Sequence, residues 1–240
     1  QYSNIDVIFS VLVQIIIPYD ELEEFEKTNG FFETNAEIIR IEEKLWEAYR
    51  AYVDAPPEDP TQKYSTTPDP EKLAAYYAVR EEYVKMYAEL YGNVDEIENE
   101  ALRIRVKKDI AYLAYNDAMV EWRTFISTTK VITDEERLPH LEKLSNARET
   151  YRSIAREWDH LRTRLLDEYV TAFRQQKLTV LSEYCDATPI EFDNEFIEGY
   201  YAELTADTIN HLSKQGCFSF RMASPDGSVE ADWRHEDWND

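Results

Sequence analysis

At 240 residues the chain is long enough to bury a hydrophobic core, and its 13% aromatic content excludes an intrinsically disordered composition. Its net charge of −23 at pH 7 should repel nucleic acids and anionic lipids and attract basic protein surfaces. Only 5 glycines occur, which favours long helices over a turn-rich β architecture.

An apolar run, IDVIFSVLVQIII, covers residues 5–17 and ends at Pro18. Its β-branched residues favour a buried strand, with a buried helix as the alternative. As a helix the run would span roughly 20 Å, which is too short for a bilayer core of about 30 Å. It also lacks the basic segment and the small-residue cleavage site of a signal peptide. We therefore expect a cytoplasmic protein without a membrane partner.

Two helices are predicted after this run. The first follows Pro18 and ends at Gly30, because glycine suits the left-handed position after a helix. The second begins at Thr34 or Asn35, either of which can cap a helix, and continues to about Val53 with apolar residues at 3–4 spacing.

A proline-rich loop, residues 55–70, separates these elements from a third helix. Asp69 should cap that helix with Pro70 in its first turn, and Gly92 should end it. An apolar stripe crowded with tyrosine follows the helical period: Leu73, Tyr76, Tyr77, Val79, Tyr83, Tyr87 and Leu90.

Two long helices are predicted next. One starts near Asn93 and reaches about Lys130 without an interrupting proline or glycine. The other begins where Thr133 and Glu136 have the spacing of a capping box, and it continues to about residue 177. Long helices joined by a short loop pack as an antiparallel hairpin.

The C-terminal part is predicted to start with a helix from Pro189 to Gly216. Residues 217–233 are then typical of a β-hairpin that turns near residues 224–227 and can pair with the N-terminal strand. The apolar stripe of the predicted helix comprises Phe192, Phe196, Tyr200, Leu204 and Ile209.

The predicted fold class is mostly α, a helical bundle with a long antiparallel helical hairpin and a minor β element. The minor element consists of the N-terminal strand and the C-terminal β-hairpin. We expect one domain made of four segments: residues 1–54, 55–70, 71–216 and 217–240.

Glu157 and His160 form the only E-x-x-H pair of the chain, whereas a four-helix di-metal site needs two such pairs and two further glutamates. A solvated helix flank is the favoured interpretation, so we predict no metal and no cofactor. Cys185 and Cys217 are expected to be free thiols, with one disulfide as the alternative. Phosphate-binding, nucleotide-binding and hydrolase motifs are absent from the sequence, which favours a binding protein over an enzyme.

Basic residues cluster on the two long helices. They could bind RNA, but pairing with the acidic flanks of the same protein is favoured because the net charge opposes nucleic acid. The cluster comprises Arg103, Arg105, Lys107, Lys108, Arg148, Arg152 and Arg156.

Two dense acidic runs are the candidate partner-binding residues. Carboxylates on rigid helices can imitate nucleic-acid phosphates and occupy a basic site on a partner. In composition and helical rigidity alone, this resembles the acidic decoy proteins that phages use against host nucleases. The candidate residues are Glu21, Glu23, Glu24, Glu26, Glu33, Glu37, Asp95, Glu96, Glu98 and Glu100.

We therefore expect an acidic helical protein that binds a basic protein surface, such as that of a nucleic-acid-binding protein, and does not bind nucleic acid itself. It would act as an inhibitor or nucleic-acid mimic. A structural or assembly component that uses coiled-coil packing is the alternative, and a carboxylate-metal enzyme is the third candidate. Tyrosine-rich helical faces are also compatible with a homo-oligomer.

Overall fold

The structure is a computed structural model that describes residues 7–54, 69–129, 131–190, 199–223 and 229–232. Within these ranges the chain forms six α-helices and five β-strands. The predicted fold class, mostly helical with a minor β element, is confirmed.

The chain divides into two compact units. One combines residues 1–24 with residues 164–240, and the other comprises residues 25–163. The first is called the sheet unit below, and the second the helical unit. Neither ends at residue 54, 70 or 216, where the sequence suggested segment boundaries.

The sheet unit is built on an antiparallel sheet with the strand order β2–β3–β1–β4–β5. The central strand β1 pairs with β3 on one side and β4 on the other. The consecutive residues Val11, Leu12 and Val13 are all buried, so both faces of the strand are covered there, which explains its nearly continuous apolar sequence. The strand interpretation of the N-terminal run is confirmed, as is its pairing with the C-terminal strands. The strands are β1 Ile8–Ile15, β2 Thr188–Ile190, β3 Gly199–Thr205, β4 Phe218–Ala223 and β5 Val229–Asp232.

The core of the sheet unit joins β1 to two helices. Val11 and Val13 of β1 are fully buried, and they share a hydrophobic cluster with Phe173 and Leu181 of α5 (Asp134–Ser182). Ile209 of α6 (Ala206–Ser213) belongs to the same cluster. The central strand is therefore stabilised by burial as well as by its two ladders.

The prediction of a single helix from Pro189 to Gly216 is wrong. Residues 199–205 form β3, and only α6 is helical in the described part of this segment. Tyr200, Ala202 and Leu204 are buried at the period of two that a strand requires. Phe192 and Phe196 lie outside the described residues, as does the predicted turn at residues 224–227.

The helical unit contains α2 (Ala36–Val53), α3 (Pro70–Tyr91) and α4 (Glu100–Thr128). It also holds the first part of α5 and the end of α1 (Tyr19–Thr28). The predicted caps are confirmed, because Asn35 accepts hydrogen bonds from backbone amides of α2 and Asp69 accepts one from α3. The helix predicted from Asn93 begins later, after a short 3₁₀ turn at Val94–Glu96.

Gly30 lets the chain turn from α1 toward α2. Its φ of +70° is the left-handed conformation that glycine adopts without strain. A side chain there would also lie 3.0 Å from Cβ of Leu102 on α4. The predicted helix end is therefore confirmed, and the close approach to α4 positions the segment that carries Glu33.

Side-chain contacts confirm the antiparallel hairpin of α4 and α5. Lys143 donates a 2.7 Å hydrogen bond to Glu121, and the rings of Phe125 and His140 stack at 4.2 Å. Farther along, Tyr151 packs against Tyr112 with ring centroids 5.0 Å apart. The order of these contacts, rising on one helix as it falls on the other, requires antiparallel helices.

Candidate functional site

The predicted acidic residues on α1 differ in their surroundings. Glu21 and Glu24 are exposed, and Glu23 is half-buried. Glu26 accepts a hydrogen bond of 2.8 Å from Nη2 of Arg162, and its side chain is largely covered. Glu26 is therefore less available to a partner than the exposed Glu21.

Glu33 lies inside the helical unit. Its side chain is 11% exposed, and its Oε2 accepts hydrogen bonds from Tyr91 and from Arg105. Burial by itself would raise the pKa of Glu33. The hydrogen bonds from Tyr91 and Asn35 and the charge of Arg105 outweigh burial, so the pKa is lowered. Glu33 is thus an ionised internal partner of Arg105, and a surface role is left to the other carboxylates.

The acidic segment between α3 and α4 is partly neutralised by its own unit. Asp95 forms an ion pair of 2.7 Å with Lys107, and Glu96 accepts a hydrogen bond from the side chain of Asn93. The other predicted carboxylates of the helical unit are exposed: Glu37, Glu98 and Glu100.

Glu37 lines a shallow depression of about 240 Å³ between the start of α2 and the end of α3. Glu89 lines the same depression and is also exposed. Met86 and Leu90 supply apolar surface beside the two carboxylates, whereas Ile38, which also lines the depression, is 2% exposed. Sequence reasoning missed this site because its residues come from different helices and form no motif.

The tyrosine stripe of α3 connects this helix to α4. The Tyr76 hydroxyl donates a 2.7 Å hydrogen bond to Asp117, and the Tyr87 hydroxyl donates one of 2.8 Å to Asp109. Burial raises the pKa of both tyrosines, and the aspartates raise it further. Both hydroxyls therefore stay protonated and donate at neutral pH. Helical spacing predicted the stripe, but only the fold reveals its partners.

Arg105 is the centre of this polar network, although its sequence neighbours suggested a surface cluster. It is 5% exposed, and its guanidinium contacts Glu33 at 3.3 Å, Asp109 at 3.6 Å and the Tyr91 hydroxyl at 2.7 Å. Burial raises the pKa of Asp109. One signal was present in the sequence, because Arg105 and Asp109 are four residues apart and share a helix face.

A groove of about 300 Å³ lies between α3 and α4, beside the tyrosine row. Its walls are mainly apolar and include Val84 and Ile110, which are 39% and 45% exposed. Arg80 also lines the groove and donates to Asp117 through Nε at 2.9 Å and Nη2 at 2.7 Å. Because this pair is bidentate and balanced, it brings no net charge to the groove.

Glu157 and His160 are both exposed on α5. In the part of the chain that the structure describes, no three His, Cys, Asp or Glu side chains are grouped so that they could hold a metal ion. Cys185 is half-buried, Cys217 is buried, and both are free thiols. Burial raises the pKa of each thiol, which keeps both in the less reactive protonated form.

Comparisons with protein-family models, with curated proteins and with solved structures give no significant match for this chain. Among the residues that the structure describes, no helix is both long and apolar enough to cross a membrane.

Elemental analysis of gently purified protein should find no stoichiometric iron, manganese or zinc. A lone E-x-x-H pair offers two ligands, fewer than these metals take from a protein. Near-stoichiometric metal that disappears in Glu157→Ala but persists in Glu142→Ala, an exposed control on the same helix, would contradict this prediction. It would favour the carboxylate-metal enzyme.

Proposed function

We propose that this protein binds a basic segment of a partner protein through its exposed carboxylates. The depression in which Glu37 and Glu89 lie beside the apolar side chains of Met86 and Leu90 carries the proposal. Lysine and arginine pack their methylene stems on apolar surface while their charged heads remain in a polar setting. The depression therefore suits one cationic side chain of the partner.

One such contact is too weak to hold a complex. Exposed ion pairs contribute roughly 0–1 kcal/mol each. Lys85 lies 3.9 Å from Glu89, but both side chains are largely exposed, so this internal pair competes only weakly with a partner. A basic segment must engage several carboxylates, and the exposed Glu98 offers a further contact. The net charge of −23 adds long-range attraction.

The basic residues of α4 also support a protein partner over a nucleic acid. Arg105 is buried, Lys107 pairs with Asp95 at 2.7 Å, and the Lys108 ammonium lies 5.4 Å from the ring centre of Trp158. These cations are engaged within their own unit, so they are poorly placed to bind phosphates.

The finer form of the proposal is an inhibitor that imitates a nucleic acid and occupies the basic site of a nucleic-acid-binding protein. Side chains three or four apart on a helix have Cβ atoms about 5–6 Å apart, which allows a row of negative charge on a rigid support. The alternative is a structural or assembly component. Its contacts would rest on desolvated apolar residues and would tolerate salt.

Binding of a fluorescent arginine-only peptide, measured by anisotropy, tests the proposal. Affinity should fall about tenfold as NaCl rises from about 50 mM to about 300 mM, because salt screens exposed charges. The Glu37→Gln/Glu89→Gln variant should bind roughly fivefold more weakly than the unmodified protein. Glu43→Gln/Glu47→Gln removes the same charge from exposed positions of α2, and this control should lose less than about twofold.

Equal losses in the two double variants would show that only total charge matters and that the depression is not the receptor. Affinity that is independent of salt would refute charge-driven binding and favour the structural alternative. If the protein is a nucleic-acid mimic, it should also displace duplex DNA from the peptide.

A further inference from the structure

The groove between α3 and α4 shares no lining residue with the Glu37–Glu89 depression. Long side chains bridge the two helices beside it, since the hydroxyls of Tyr76 and Tyr87 reach Asp117 and Asp109. Tyr87 and Asp117 line the groove, and each is hydrogen-bonded to the opposite helix. These cross-helix hydrogen bonds therefore position part of the groove wall.

Three tyrosine rings form an aromatic row along the groove. The rings of Tyr83 and Tyr87 stack with centroids 5.1 Å apart, and those of Tyr87 and Tyr91 meet edge to face at 4.7 Å. The hydroxyls of Tyr87 and Tyr91 donate to Asp109 and Glu33. Tyr83 and Tyr87 are only 4% and 5% exposed, so a small part of each ring reaches the groove and the exposed apolar surface comes mainly from Val84 and Ile110. Ring carbons and aliphatic carbons together suit a flat aromatic ligand.

The guanidinium of Arg80 is a polar group in the wall of the groove. Asp117 accepts hydrogen bonds from Tyr76 and from Nε and Nη2 of Arg80. Nη1 of Arg80 makes none of these bonds and can donate to an oxygen atom of a ligand. Because Asp117 already balances the charge of the Arg80 guanidinium, this group favours a neutral oxygen atom of a ligand over an anion.

The volume of the groove sets the size of its occupant. A cavity of roughly 150 Å³ holds benzene, so about 300 Å³ admits a molecule of about twice that size. Three turns of a partner helix would be about 10 Å across and 16 Å long, with a volume above roughly 1,000 Å³. The groove could hold only one or two side chains of such a helix, whereas it could hold a two-ring molecule whole.

We infer that the groove binds a neutral, two-ring aromatic molecule whose single oxygen accepts a hydrogen bond from Arg80. The rings pack mainly against the exposed wall residues Val84 and Ile110, with the nearly buried Tyr83 and Tyr87 beneath them. The groove and the Glu37–Glu89 depression share no lining residue, so this inference and the proposed function can be tested separately.

Isothermal titration of the full chain with 2-naphthol tests the inference. Binding should saturate with one site below about 1 mM. Ala88→Phe places a ring in the groove and should weaken binding at least about tenfold. Ala78→Phe adds the same ring to an exposed position of α3 outside the groove lining, and its affinity should stay within about twofold. Both alanines are exposed, so both variants should keep the helical circular dichroism of the unmodified protein.

Failure of 2-naphthol to saturate, or equal affinity in the two phenylalanine variants, would overturn the inference. Tighter binding of 2-naphthalenesulfonate would overturn the assignment of a neutral ligand. A protein dimer that Ala88→Phe abolishes and Ala78→Phe preserves would also overturn it, because a second copy would then occupy the groove.

Discussion

Replacement of Trp158 by alanine should cost about 3–5 kcal/mol of the free energy of unfolding, the usual loss when a buried tryptophan is truncated. Trp158 is 5% exposed, and its ring meets Phe31 edge to face at 5.5 Å. The Lys108 ammonium lies over the ring, so the variant also loses a cation–π contact. Urea unfolding followed by circular dichroism should show a lower midpoint.

Trp46→Ala is the matched control. Trp46 is 38% exposed and stacks on Tyr49 with ring centroids 5.3 Å apart, so its truncation should cost only about 1–2 kcal/mol. If the two variants unfolded at the same urea concentration, or if Trp158→Ala matched the unmodified protein, Trp158 would not contribute to the core as its burial implies.

Replacement of Arg105 by methionine should cost about 3–5 kcal/mol at pH 7, because it leaves buried carboxylates without their cation. Glu33 and Asp109 both lie within ion-pair distance of Arg105. Methionine keeps much of the chain length, so the loss reflects charge more than volume. Unfolding free energies of the two proteins, measured in urea at several pH values, provide the test.

The difference between the two proteins should shrink as the pH falls. In the unmodified protein the pKa of Glu33 is lowered, so this group contributes stability above its unfolded pKa and loses it as pH falls through the folded pKa. Without Arg105, the pKa of Glu33 should rise, and the pKa of Asp109, which burial already raises, should rise further. As the pH falls, these carboxyls then become protonated in the variant at a pH where Glu33 of the unmodified protein is still ionised, and their protonation relieves the variant.

Arg103→Met is the control for this experiment. Arg103 donates to the backbone oxygen of Ile97 and is half-buried, so its loss should be small and nearly independent of pH. A difference for Arg105→Met that stays constant from pH 7 to about pH 4 would refute the role of Arg105 as the counter-ion of buried carboxylates.

Helix boundaries could be predicted because the groups that set them are close in sequence. Asn35 caps α2 by accepting from the amides of Glu37 and Ile38. Thr133 and Glu136 exchange hydrogen bonds as a capping box at the start of α5. Such contacts span two or three residues and need no tertiary partner.

The segment from Pro189 to Gly216 could not be predicted correctly because its pattern fits two periods. Tyr200 and Leu204 are four residues apart, which satisfies both a helix face and a strand face. Hydrogen bonding to β1, whose Leu12 pairs with Tyr201, decides in favour of the strand. That partner lies at the other end of the chain, so local propensity carries no information about it.

The surroundings of the candidate partner-binding carboxylates also depend on residues that are distant in sequence. Their number and clustering follow from the sequence, but the structure buries Glu33 against Arg105 and leaves Glu37 exposed. The depression shared by Glu37 and Glu89 depends on how α2 packs on α3, which no motif records.

The sequence by itself determined the charge of this protein, its helix caps and the apolar faces that its helices bury, because these depend on residue type and on neighbours within a few positions. Only the tertiary structure decided which charged residues became internal partners, which strands paired with β1, and where the groove and depression lie. The physical reason is that ion pairs, strand ladders and cavities arise between residues that chain folding brings together from distant positions.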